Sequence, residues 1–214
     1  DGNTDTDDSP TVRWISVSAH GAQFNQTPLA PGEALARARE AQPQAWVLTS
    51  ATLTAAGRFD HYLNEVGLEE ASTARWDSPF DFPQQALLYL PQSMPSPYDA
   101  SFAQNVAEAA WPLVRANNGR AFILCTTLRA VDRVADRLRQ LMALDDQPLP
   151  LLIQGTSTRR ALLEAFRSSD NAVLVGSISF WEGIDIRGDA LSLVVIDKLP
   201  FAPPDDPIVE AKIR

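Results

Sequence analysis

Ala121-Phe122-Ile123-Leu124-Cys125-Thr126-Thr127-Leu128-Arg129-Ala130-Val131 is the stretch on which the fold turns. An unbroken apolar run at 121–125 fits a strand covered on both faces. Thr126 or Thr127 then stands where a helix N-cap belongs, since a hydroxyl there accepts from an otherwise orphaned backbone N–H. Val131, Val134, Ala135, Leu138, Leu141 and Met142 follow at helical spacing and predict one buried face. Arg129, Arg133, Arg137 and Arg139 fall on the other face. The bland account of those arginines is a solvated surface paired with Asp132 and Asp136.

The same alternation continues downstream. Apolar runs at 149–153, 172–175 and 191–196 predict strands, and 156–166 predicts a helix between the first two. Upstream, 100–116 reads as a helix with Pro112 as a kink and Asn118-Gly119 as its stop. Strands alternating with helices imply a mainly parallel sheet, hence an α/β class with helices on both faces. Earlier still, strands are expected at 12–18, 22–27, 45–48 and 86–90. Helices are expected at 31–41 and 57–66, the latter closed by Gly67. A domain boundary is placed near 53–80, where prolines begin to accumulate.

Composition sets outer limits. The 214 residues are 45% hydrophobic and 21% charged, which fits a globular chain with a real core. No apolar run is long enough for a membrane-spanning helix. Cys125 is the only cysteine, which excludes a disulfide framework or a cysteine-ligated cluster within these residues. His20 and His61 offer little to a zinc site. The net charge of −9 argues against a basic domain that coats duplex DNA, but leaves room for a local positive groove. Residues 1–10 read as an acidic, solvated start. The first residue is not methionine, and the chain stops just after a helix opens at Pro207, so both ends read as the edges of a fragment.

In an open parallel sheet, ligands bind beyond the carboxyl ends of the strands. Five predicted strands end in small, polar or charged residues: Thr49-Ser50-Ala51-Thr52, Thr126-Thr127, Gln154-Gly155, Gly176-Ser177 and Lys198-Leu199-Pro200-Phe201. Hydroxyls and backbone N–H groups at such ends suit phosphates. No G-x-x-x-x-G-K-[ST] loop occurs, so the chain supplies at most part of a nucleotide site. The densest polar constellation is Phe180-Trp181-Glu182-Gly183-Ile184-Asp185. Glu182 and Asp185 read either as an acid–base pair, as acids facing a ribose or metal-bound water, or as surface acids on a glycine turn.

Ser50-Ala51-Thr52-Leu53 resembles helicase motif III of superfamily 2, and 122–127 resembles motif IV. Ser179-Phe180-Trp181-Glu182-Gly183-Ile184-Asp185, followed by Ile196-Asp197-Lys198-Leu199-Pro200-Phe201, resembles motif V and the strand after it. In this order and spacing the motifs are similar to the DinG/YoaA branch of the XPD-like DNA helicases, from about residue 12 to the end. The resemblance implies a RecA-like (P-loop NTPase-type) lobe without its own P-loop, in an ATP- and Mg2+-dependent motor moving 5′ to 3′ on single-stranded DNA in repair or replication. It implies that 11–55 closes the first motor lobe at motif III and that 56–214 is the second lobe, ending before motif VI. By the same resemblance Ser50, Ala51 and Thr52 couple hydrolysis to the DNA path. Thr126, Gln154 and Ser177 would touch DNA, and Glu182, Gly183 and Asp185 would face the nucleotide. The Walker motifs and a [4Fe–4S] cluster are implied upstream, and the arginine-finger motif just past Arg214, so the isolated chain is expected to hydrolyse ATP negligibly. A bacterial, cytoplasmic, monomeric motor is implied, without membrane contact, and with association to a clamp-loader accessory subunit. The alternatives are a non-catalytic RecA-like module that binds protein or single-stranded nucleic acid, and an unrelated nucleotide-binding α/β enzyme.

Overall fold

The computed structural model describes residues 11–18, 21–41, 44–181, 183–201 and 206–213. In chain order the elements are β1 (Thr11–Ser18), β2 (Gly21–Pro28), α1 (Gly32–Ala41), α2 (Asp60–Val66) and the short α3 (Phe82–Gln85). Then come α4 (Phe102–Ala116), β3 (Ala121–Leu124), α5 (Leu128–Leu144), β4 (Leu151–Ile153) and α6 (Arg159–Arg167). β5 (Val173–Gly176), β6 (Leu193–Ile196) and α7 (Pro207–Ile213) complete the chain. It divides into two compact units, one of residues 1–85 and 202–214, the other of residues 86–201.

The second unit is a four-stranded parallel sheet in the order β4-β5-β3-β6. Side chains alternate across a strand, so each central strand feeds two cores. Ala121 and Ile123 of β3, with Val173 and Val175 of β5, pack against α4 and α5 through Val106, Val114, Val131, Val134 and Leu138. On the opposite face Phe122, Leu124 and Leu174 meet Leu162, Leu163 and Phe166 of α6, together with Phe180. The Phe122 and Phe166 rings meet edge to face at 4.7 Å. Both faces of β3 and β5 are thus covered, which is why their sequences carry no polar alternation. β6 differs. It is an edge strand, and Val194 and Ile196 remain about half exposed while Leu193 and Val195 pack inward.

Capping explains where the helices start. Thr127 Oγ1 accepts from the Ala130 N–H at 3.1 Å, and Thr158 Oγ1 from the Ala161 N–H at 3.2 Å. The helix expected from 156 therefore begins later, because Thr156 Oγ1 donates back to the Ile153 carbonyl at 2.8 Å and leaves Thr158 as the cap. Pro112 is tolerated on the exposed side of α4. The far ends of α4 and α5 are tied by Asp145, which accepts from Trp111 Nε1 at 2.7 Å and from Arg115 at 2.9 Å. Gly119 closes the turn from α4 into β3 with φ +72, and a Cβ there would stand 1.9 Å from the Asn171 carbonyl oxygen.

The first unit holds the β1–β2 antiparallel hairpin, paired from Thr11↔Pro28 to Ser18↔Gly21, and three helices before residue 86. Lys212 of α7 reaches Glu65 at 2.6 Å and holds its carboxyl below the usual range. Two expected strands did not form. Ala45–Leu48 and Ala86–Leu90 are irregular, with Val47 83% and Leu87 93% exposed. A strand is a property of a pair, and no described segment offers either run a ladder partner. Among the described residues no helix is long and apolar enough to cross a membrane.

Candidate nucleotide- and DNA-facing edge

Because the four strands of the second unit are parallel, their carboxyl ends share one edge. Thr126, Gln154, Ser177 and Asp197 each follow such an end directly or within one residue. The edge carries a switch point. The connection leaving β3 enters α5 on one face, whereas the segment leaving β5 drops Phe180 into the core of the other. Such a divergence between adjacent strand ends is the position that doubly wound sheets use for ligands.

Two sequence-expected residues meet here. Gln154 Oε1 accepts from the Ser177 N–H at 2.6 Å, and the Gln154 N–H donates to the Val175 carbonyl at 3.0 Å. This fixes the chain as it leaves β5 and buries Ser177 to 7% exposure, the only buried polar residue described. With Oε1 engaged, Gln154 keeps its amide N–H groups for an incoming acceptor.

Thr126 has a partner that the sequence did not disclose. Asp197, at the end of β6, accepts from the Thr126 N–H at 3.2 Å, with the hydroxyl at 3.5 Å, and from the Lys198 N–H at 2.6 Å. Burial pushes the Asp197 carboxyl up, against the opposing pull of those bonds and of the Lys198 charge. Beside it Cys125 is buried, and its thiol is pushed up to about 12, chiefly by desolvation and further by Asp197. Cys125 is thus a packing residue, and nothing in its surroundings suits a cluster ligand. Among the described residues no group of three or more His, Cys, Asp or Glu could hold a metal. The described residues therefore do not fit an iron–sulfur cluster.

The loop after β5 is pinned from the α6 side. Arg159 Nε donates to the Ser179 carbonyl at 2.9 Å, with its guanidinium 5.9 Å from the Phe180 ring centroid. Arg167 donates to the Asp185 carbonyl at 3.0 Å. Gly183 takes φ +69, a conformation that few side chains share, and its Cα is open to approach. The Asp185 carboxylate is exposed and touches Arg187 at 3.3 Å. Glu182 lies outside the described residues. Ser50, Ala51 and Thr52 belong to the first unit, where they form an exposed turn: the Thr52 N–H donates to Ser50 Oγ at 3.2 Å, and the two hydroxyls are 3.1 Å apart. The expected fifth strand end is thus a turn that follows no strand.

Next to Thr126 lies a cleft of about 300 Å3, lined by Tyr98, Thr127, Arg129, Arg133 and Lys198 among others.

Residues 110–214 match the family described as helicase C-terminal domain. The chain carries a helicase C-terminal domain of the DinG/YoaA kind. It is 38% identical over 201 residues to ATP-dependent DNA helicase YoaA of Escherichia coli (strain K12), covering 94% of this chain and 31% of that protein. It is 40% identical over 201 residues to ATP-dependent DNA helicase YoaA of Haemophilus influenzae, with 94% and 31% covered. Against 3′-5′ exonuclease DinG of Bacillus subtilis (strain 168) the identity is 34% over 218 residues, with 97% and 23% covered. The chain therefore spans under a third of the length of these relatives. In this helicase C-terminal domain the α/β sheet has the RecA-like form that the motif order implied. Asp197 lies in the 196–201 run that carries the resemblance, yet no role was expected of it. Its other local signal is its place as the first polar residue after an apolar run.

Proposed function

We propose that the chain is the C-terminal motor portion of an ATP-dependent DNA helicase that moves 5′ to 3′ on single-stranded DNA during repair or replication. The observation that carries this reading is the shared carboxyl edge of the parallel sheet, where Thr126, Gln154 and Ser177 gather beside a loop that presents Gly183 and Asp185. Hydroxyl and amide donors at such an edge hold phosphates without reading sequence, as a translocating motor requires. Gly183 and Asp185, with Glu182, face the nucleotide across from the first lobe. Ser50, Ala51 and Thr52 couple the two lobes. On this reading the first lobe ends near residue 55 and the second occupies 56–214. ATP with Mg2+ supplies the free energy of translocation, bound by motifs that this chain does not contain. The motor acts as a cytoplasmic monomer, with a clamp-loader accessory subunit as partner.

The test is DNA-stimulated ATP hydrolysis by the full-length gene product. Asp185→Ala should abolish the stimulation while leaving the melting temperature unchanged, since the side chain is exposed and, among the described residues, meets Arg187 alone. Unchanged turnover would reduce Asp185 to a surface turn acid. The 214-residue chain alone should hydrolyse ATP negligibly, because it has neither a phosphate loop nor an arginine finger to stabilise the transferring phosphoryl group.

A further inference from the structure

The cleft beside the start of α5 carries a charge pattern that the sheet edge alone does not explain. Of the four arginines on α5, Arg137 pairs with Glu108 and Arg139 with Asp136, each at 2.6 Å. The solvated-face account covers those two. Arg129 and Arg133, one turn apart, line the cleft instead. Among the described residues neither meets a carboxylate; Arg133 spends one N–H on the Ala100 carbonyl at 3.3 Å. Lys198 stands at the same cleft. Its two acids, the part-buried Asp197 and the exposed Asp99, are engaged as hydrogen-bond acceptors. Asp197 accepts the backbone N–H groups of Thr126 and Lys198, and Asp99 accepts the Ser101 N–H and hydroxyl, both at 2.8 Å. At the rim stands Tyr98, 98% exposed. In a chain of net charge −9, a recess lined by three cations, Arg129, Arg133 and Lys198, against two carboxylates is a local exception in the field.

We propose that this cleft is a single-stranded DNA contact in which Tyr98 stacks on one base and Arg129 and Arg133 hold neighbouring phosphates. An aromatic platform beside cations is the arrangement that binds single strands with little sequence preference, because every base has a π-face. Guanidiniums suit the phosphates, since their N–H groups fork onto two oxygens. The proposal rests on the helicase reading and deepens it. It extends the strand's path from Thr126 at the sheet edge to the first turn of α5, with Thr127 kept as the cap of that helix.

The test is fluorescence anisotropy of the full-length gene product with labelled oligothymidine and with the same strand built of abasic nucleotides, over a range of salt. The Arg129→Gln/Arg133→Gln double variant should flatten the slope of log affinity against log salt by about 1.4, at roughly 0.7 per phosphate contact on a single strand. Tyr98→Ala should weaken oligothymidine binding at least about fivefold and leave the abasic strand unaffected, and Tyr98→Phe should restore it. Should the double variant melt early, Arg129→Gln alone should flatten the slope by about 0.7. Wild-type slopes and affinities in these variants, with Thr126→Ala or Ser177→Ala still weakening binding, would overturn the cleft and leave the helicase reading standing. Failure of the wild-type protein to bind single strands would overturn both.

Discussion

Gln154 and Ser177 lie 23 positions apart, yet one bond of 2.6 Å joins them at the exit of β5. Gln154→Ala would leave the N–H of a buried residue without an acceptor, at a cost of about 1–3 kcal/mol in urea unfolding. Gln154→Glu keeps an acceptor in place and should lose less; equal losses would show that bulk rather than the bond matters. Cys125 gives a second residue-scale prediction, with a defined sign. Its folded thiol titrates at about 12, against about 8.5 for a free thiol. Between those values the folded state holds the proton and the unfolded state does not. Stability therefore falls as pH rises through that window, by about 1.4 kcal/mol per pH unit from this one group. Alkaline unfolding of Cys125→Ala should lack that slope, and thiol reagents should modify the native protein only as it opens. Thr126, Gln154 and Ser177 were legible in the sequence because each breaks an apolar run. Asp197 breaks one as well, but its bond to Thr126 spans 71 positions, and no local pattern encodes that distance.

At the scale of elements, Thr127 and Thr158 cap separate helices with separate bonds. Thr127→Ala and Thr158→Ala should each cost about 1 kcal/mol, and the double variant close to their sum. A marked shortfall in the double would mean that the two caps share a cooperative unit smaller than the sheet. Gly119→Ala should cost more than either. It adds left-handed strain to a Cβ placed 1.9 Å from a backbone oxygen, and backbone cannot step aside as a side chain can. The helices α4, α5 and α6 and the four parallel strands could be read from the sequence because each combines a periodic or continuous apolar pattern with a polar stop, whereas the single turn of α3 carries no such pattern. The runs at 45–48 and 86–90 have the same apolar character and still fail as strands. What a strand needs is a neighbour's free N–H and C=O groups, and a sequence window says nothing about those.

At the scale of the molecule, the two units differ in what holds them. Every buried apolar side chain described lies between Ala103 and Phe180, inside the second unit. None lies between residues 11 and 85, where the main ladder is a two-stranded hairpin, an arrangement only marginally stable in water without a covering layer. Opening that hairpin exposes little that is not already wet, whereas opening β3 or β5 uncovers both cores at once. Amide hydrogen exchange of the 214-residue chain should therefore separate the units. Amides of β3, β5 and the middle of α5 should exchange only through global unfolding, and those of β1 and β2 through local opening of far smaller free energy. Denaturant should speed the slow set with the full unfolding slope and the fast set hardly at all. If β1 and β2 instead exchanged as slowly as β3, the hairpin would be part of one cooperative body with the sheet, and the absence of a buried core in 11–85 would not be what sets its stability.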